Sequence, residues 1–265
     1  MSSPSFEWRP IAFLRDRQPD AEPAAFALIV LNQPLKQTPV LDLLWQNAIV
    51  RVAADGGANR LLDLSKATQS QSQSQTTPYA NLDAIIGDLD SLDPVAKDFY
   101  TNLEKPTQIV HMPDQISTDF GKSIRWIRSQ HPNVDIVALG GLGGRVDQGL
   151  SQVHQLYLSQ PGPGYDEGKM YLVSGQSLTF LLKPGIHSIK VREGGEDVFG
   201  KHVGIIPIGG TSYITTEGLE WDVVDWETKF GGHMSTSNHV LPETKVVKIG
   251  TTETVLFTIA LAGIE

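Results

Sequence analysis

The chain has 265 residues, 40% of them hydrophobic, enough for one large domain or two modest ones with packed cores. Its net charge of −9 argues against a nucleic-acid or anionic-membrane surface, which needs clustered Lys and Arg. The absence of cysteine excludes disulfides, thiolate catalysis and cysteine-ligated metals, and fits a reducing compartment.

In chain order, residues 1–23 carry Pro4, Pro10, Pro19 and Pro23 with little periodicity and read as a flexible N-terminal extension. They lack the basic head and apolar block of a secretory signal, so a cytoplasmic protein is expected. From Phe26 the pattern alternates: FALIVL as a buried strand, Thr38–Gln46 as an amphipathic helix, IVRVAA as the next strand, Ala58–Lys66 as a short helix. The polar run at 68–77, TQSQSQSQTT, has no apolar anchor and reads as a surface loop. The alternation then resumes. LDAIIGD is a strand, and Asp93-Pro94 an N-cap and first position opening a helix to about Leu103. A short strand at Gln108–His111 and a helix at Thr118–Ser129 follow. Next come a strand at Val134–Leu139 and a helix at Val146–Leu158.

Such alternation predicts an α/β N-terminal domain, a parallel sheet with flanking helices, over residues 24–160. The Pro/Gly segment 159–169, SQPGPGYDEGK, is the expected boundary. Beyond it only short alternating segments appear, so residues 168–265 predict an all-β C-terminal sandwich domain. The longest apolar stretch there, Val255–Ile264, is well short of the ~20 residues a membrane helix needs.

The chemistry concentrates in three glycine-bearing turns: Asp55 in ADGG, Asp88 and Asp90 in IIGDLDS, and Asp119 in DQISTDFGK. Two of them follow apolar runs that read as strands, and the ends of parallel strands are where open α/β sheets hold ligands. Carboxylates converging there repel one another unless a cation lies between them. Hard oxygen donors suit Mg²⁺, which usually arrives with substrate phosphates. Taken singly, each turn has an ordinary explanation, since Asp caps and Gly supplies positive φ. LGGLGGRVDQ, at 139–148, adds glycines that free backbone amides for a phosphate, with Arg145 to neutralise charge and Asp147 beside it. In the β-rich half, GLEW (218–221) and STSN (235–238) stand out. Walker, dinucleotide-fingerprint, metalloprotease and hydrolase-elbow patterns are absent or incomplete.

Together and in order, ADGGANRL, IIGDLDS, PDQISTDFGK, LGGLGGRVDQ, LLKPG, GLEW and STSN resemble the thiamine pyrophosphokinase family of the eukaryotic type, over most of the chain from about Phe26. The resemblance implies Mg²⁺-dependent transfer of the diphosphoryl group of ATP to the hydroxyl of thiamine, giving thiamine diphosphate and AMP. It implies a homodimer with a shared active site. Residue by residue, it makes Asp55, Asp88, Asp90 and Asp119 the metal ligands, with Asp88, Asp90 and Asp119 also catalytic. It makes Gln115, Thr118, Lys122, Arg145 and Asp147 ATP contacts, and Trp221, Ser235 and Asn238 thiamine contacts. Asp88 is a further candidate for accepting the proton of the attacking hydroxyl. Another Mg²⁺-dependent transferase that uses a nucleotide and the same aspartate turns, and a thiamine- or nucleotide-binding regulator on the same scaffold, are the alternatives.

Overall fold

A computed structural model describes residues 3–16, 25–36, 38–71, 77–193 and 197–262. The chain divides into two compact units, one of residues 16–160 and 165–175, the other of residues 1–15, 161–164 and 176–265.

The first unit is the α/β one. Its strands β2 (Phe26–Val30), β3 (Val50–Ala54), β4 (Ala84–Gly87), β5 (Gln108–His111), β6 (Asp135–Leu139) and β7 (Met170–Val173) lie in the order β7-β6-β2-β3-β4-β5. Every pairing within this set is parallel. β2, β4 and β7 are buried along their whole length, as expected of parallel strands covered on both faces. Helices α1 (Pro39–Asn47), α2 (Gly57–Gln71), α3 (Pro94–Thr101), α4 (Asp119–Gln130) and α5 (Val146–Leu158) make the crossovers. Thr38 caps α1, its hydroxyl accepting from Leu41 N at 3.2 Å, and Pro39 supplies the fixed φ of the first turn. Asp93 holds the N-cap position of α3 but makes no side-chain cap bond. α2 runs five residues past the expected Lys66, into the polar run; residues 72–76 of that run lie outside the described residues. β7 belongs to this unit although it follows the Pro/Gly segment, so the unit boundary differs from that expected at 159–169. β7 pairs with β6, from Ile136 with Met170 to Leu139 with Val173, and that hydrogen-bonded register outweighs the turn-rich composition before it.

The second unit is built from two sheets. One has the order β1-β9-β14-β11-β12, from β1 (Ser5–Trp8), β9 (Gly185–Lys190), β11 (Ser212–Glu217), β12 (Trp226–Thr228) and β14 (Val246–Thr251). The other runs β13-β10-β15-β8, from β8 (Ser177–Leu182), β10 (Phe199–Ile206), β13 (Ser235–His239) and β15 (Val255–Leu261). Their pairings are antiparallel except that of β1 with β9. Phe180 and Phe257 of one sheet and Ile189 and Val247 of the other are fully buried, the packed interior expected of a sandwich.

The N-terminal segment corrects the sequence reading. Residues 5–8 are not a loose extension but an edge strand, paired in register from Ser5 with Ile186 to Trp8 with Ile189. Trp8 is fully buried against Phe180 at 4.3 Å between ring centroids, and its indole N–H donates to His187 Nδ1 at 2.9 Å. Pro4 and Pro10 bracket a strand too short to show periodicity, so one buried indole carries the signal. Residues 17–24 lie outside the described residues.

Candidate active site

In the α/β unit, β2 continues to β3 on one side while β6 returns on the other, so the strand order reverses at β2. Open parallel sheets bind ligands at the carboxyl ends of strands beside such a reversal. A cleft of about 320 Å³ lies there, lined by Asn32 and Gln33 after β2, Asp55 and Gly56 after β3, and Asp88 and Ser91 after β4. Residues 115–120 and the α5 residues Gln148, Ser151 and Gln152 complete its wall.

Backbone conformation brings the carboxylates together. Asp55 has φ +44° and Leu89 has φ +66°, left-handed values that are uncommon outside glycine. The turn at Leu89 removes the strand alternation between Asp88 and Asp90, so both aim at one place. Oxygens of Asp55, Asp88 and Asp90 lie within 4.8 Å of one another. Gly87 is required at the end of β4. A Cβ there would stand 2.8 Å from Asp55 Cβ and 2.9 Å from Asp119 Oδ1. That glycine lets Asp119 approach from the start of α4.

The four acids are not equivalent. Asp55 is buried, its Oδ2 accepting from Ser91 N at 3.1 Å, while its Oδ1 is buried without a hydrogen-bond partner among the described residues. Burial pushes its carboxyl up to about 6, and repulsion from Asp119, Asp88 and Asp90 adds to this against the Ser91 bond. Asp88 Oδ1 accepts from Asp90 N at 3.3 Å and Oδ2 from Gln115 Nε2 at 2.9 Å. Burial opposes its ionisation, but these bonds and Lys122 hold it below the usual carboxylate range. Such a group is a weak proton acceptor.

Asp119 stands apart from the three-acid cluster. It accepts from Lys122 Nζ at 3.0 Å and from Asp88 N at 3.3 Å. Lys122 is buried, and its Nζ also lies 3.5 Å from Asp88 Oδ2. Burial works to lower the Lys122 ammonium, and the two carboxylates more than reverse this, leaving it raised. Lys122 is therefore a fixed positive charge beneath the cluster rather than an arm reaching into the cleft. Thr118 caps α4, its hydroxyl accepting from Gly121 N at 3.1 Å.

An orphaned buried oxygen facing two further carboxylates, with one lysine against four acids, is a charge imbalance that a divalent cation corrects. An all-oxygen donor set suits Mg²⁺ rather than a soft metal. The residues present fit such an ion.

Arg145 and Asp147 fall elsewhere. They form a two-pronged pair, Nε to Oδ1 at 3.0 Å and Nη2 to Oδ2 at 2.5 Å, with side chains 75% and 60% exposed. Arg145 lines a separate shallow cavity with Gly143, Gly144 and Val146. Polar cleft residues to which the sequence reading gave no role include Asn32, Gln33, Ser91, Ser151 and Gln152. Helical spacing offered a signal for two of them, since Ser151 and Gln152 lie three and four positions beyond Gln148.

In the β-rich unit, Trp221 is 55% exposed. Asn238 is buried and does not present its amide: Oδ1 accepts from Trp221 N at 3.2 Å and Nδ2 donates to Trp221 O at 2.9 Å. It clips the GLEW turn in place. Ser235 opens β13 half-buried, and its hydroxyl has no hydrogen bond among the described residues.

Comparison with known proteins shows one family along the chain. The family model described as "Thiamin pyrophosphokinase, catalytic domain" matches residues 41–162, and that described as "Thiamin pyrophosphokinase, vitamin B1 binding domain" matches residues 186–256. The chain belongs to the thiamin pyrophosphokinase family. It is 38% identical over 247 residues to "Thiamine pyrophosphokinase 3" of Oryza sativa subsp. japonica, covering 90% of this chain and 88% of the relative. It is 39% identical over 228 residues to "Thiamine pyrophosphokinase 1" of Arabidopsis thaliana, covering 82% and 80%. The solved thiamin pyrophosphokinase from Candida albicans superposes with a TM-score of 0.79 at 22% identity, over 98% of this chain and 95% of that one, and shows the same fold. As a family member the chain is an enzyme, a thiamine diphosphokinase.

Proposed function

We propose that this enzyme transfers the diphosphoryl group of ATP to the hydroxyl of thiamine, releasing AMP, in a Mg²⁺-dependent reaction. The observation that carries this reading is the Asp55–Asp88–Asp90 cluster, with its orphaned Asp55 oxygen, in a cleft at the carboxyl ends of parallel strands. Transfer of this kind asks for positioning and charge neutralisation rather than a covalent intermediate. The thiamine oxygen attacks the β-phosphorus, the bond from that phosphorus to the α,β-bridging oxygen breaks, and the hydroxyl proton is lost. Mg²⁺ held by Asp55, Asp88 and Asp90 would draw charge from the phosphate oxygens.

The chain's own residues supply the rest. Asp119 and Lys122 fix Asp88 from below, through the 3.3 Å and 3.5 Å contacts, and Gln115 fixes it from the cleft side. Gln115 and Thr118, which line the cleft, serve ATP directly, and Lys122 serves it through the carboxylates of Asp88 and Asp119 that it holds, with Arg145 and Asp147 as a pre-oriented charged pair beside the glycine turn. Trp221 and Ser235 receive thiamine, a flat pyrimidine joined to a thiazolium cation. An aromatic face attracts such a cation by roughly 0.5–2 kcal/mol. Asn238 acts through the Trp221 backbone. A cytoplasmic homodimer with a shared site completes the proposal. In its support, α5 leaves Val146 and Leu150, one turn apart, 77% and 61% exposed, apolar surface that a second copy would cover. Among the described residues, no helix is long and apolar enough to cross a membrane.

The deciding assay measures products from ATP, Mg²⁺ and thiamine. Stoichiometric AMP and thiamine diphosphate are expected. ADP with thiamine monophosphate would mean attack at the γ-phosphorus and overturn the proposal.

A further inference from the structure

We propose that His239, held by Glu220, is a positioning residue that backs the indole of Trp221 and so sets the affinity for thiamine. This rests on the reading of Trp221 as the thiamine face. Along a strand, successive side chains point to opposite sides. β13 uses this alternation to serve one tryptophan twice: Asn238, pointing inward, grips the Trp221 backbone from the buried side. His239, pointing the other way, lays its ring 5.1 Å from the indole, at 46° between planes.

Two contacts fix that imidazole. His239 Nδ1 donates to Glu220 Oε2 at 2.5 Å, which sets the ring's rotation and requires a proton on Nδ1. His202, its register partner on β10, packs edge-on at 4.8 Å between ring centroids. Glu220 is itself anchored, since its backbone N–H donates to His239 O at 2.8 Å. The turn and the strand are thus tied by main chain and side chain at once. An indole with more than half its surface in solvent would otherwise sample several rotamers. With one side backed by His239, it keeps the other free for a flat cationic ligand. Holding an aromatic in its bound orientation raises affinity by lowering the ordering cost on binding.

The test compares steady-state kinetics and calorimetric thiamine binding for Trp221→Ala, His239→Ala, His239→Phe and Glu220→Ala in the full chain. His239→Ala is expected to raise the thiamine KM and Kd by roughly 2- to 10-fold, the range of an aromatic pair, with the ATP KM unchanged. His239→Phe, which keeps a ring but loses the Glu220 bond, recovers most of the affinity. Glu220→Ala falls between the two. An unchanged thiamine KM and Kd in His239→Ala, with Trp221→Ala impaired, would overturn the inference and leave the thiamine reading of Trp221 standing. No effect in Trp221→Ala would remove that reading and this inference with it. A parallel rise in thiamine KM and ATP KM in His239→Ala also overturns it, because that is the signature of a general structural loss. Should His239→Ala fail to fold, Glu220→Ala alone decides by the same thiamine-against-ATP split.

Discussion

The two ends of the proposed reaction are built in opposite ways. The acid cleft of the α/β unit is dense and charged. Its carboxylates are fixed by left-handed backbone at Asp55 and Leu89, by a glycine at 87 and by a buried lysine at 122. The Trp221 corner of the β-rich unit is open and aromatic, with one ring gripped from behind and most of its surface exposed. The difference follows from the ligands. A polyphosphate and its cation demand several charges at close and fixed spacing, whereas a flat cation needs only a broad apolar surface held still. The first site is therefore intolerant of single changes, and the second yields in graded steps.

The largest effect should come from the cleft. Asp88→Ala is expected to lower kcat by about 10²- to 10³-fold or more, the several kcal/mol that metal-assisted charge neutralisation supplies. A drop under tenfold in a product assay would break the contrast. Next is Trp221→Ala, expected to raise the thiamine KM by about 2- to 30-fold, as a cation–π contact implies, with the ATP KM unmoved. Equal changes in both would make the corner structural rather than ligand-binding. Arg145→Ala should raise the ATP KM by only about 2- to 5-fold, because its exposed guanidinium already shares its charge with Asp147. A hundredfold rise would mean that Arg145 leaves Asp147 and grips phosphate directly.

The smallest effect is on stability. Removing the buried charge in Asp55→Asn should raise the metal-free thermal midpoint by a few degrees, at about 2–4 °C per kcal/mol for a chain of this size. The same variant should lose most of the upward shift that Mg²⁺ gives the unaltered protein. A calorimetric scan with Mg²⁺ and with chelator decides it. If the variant keeps the full Mg²⁺ shift, Asp55 is no ligand.

Much of the α/β unit was legible because buried parallel strands read as unbroken apolar runs. FALIV and AIIG are examples, and VRVAA is interrupted only by Arg51, each being closed by a turn signal. The acids were legible because they sit in those turns. The N-terminal strand was not, since four residues between prolines carry no period. Nor were Asn32, Gln33 and Ser91 singled out, for polar residues after a strand look like any loop. Arg145 closes the glycine turn and Asp147 opens the helix after it, as the sequence pattern suggests, yet their mutual pairing depends on rotamers that a motif does not specify.

By itself the sequence determined the order of strands and helices in the α/β unit, the acids and glycines of each turn, and the family to which the chain belongs. All of these are local patterns of hydrophobicity, backbone freedom and residue identity. Tertiary structure alone decided which acids share an oxygen cluster, that Lys122 lies beneath it, that Asn238 grips the Trp221 backbone and that His239 stands behind the indole. Asp55, Asp88 and Asp119 come from three different connections of the sheet, and Trp221 and His239 from a turn and a strand. Their meeting is set by strand register and packing, which depend on the whole fold rather than on neighbours in the chain.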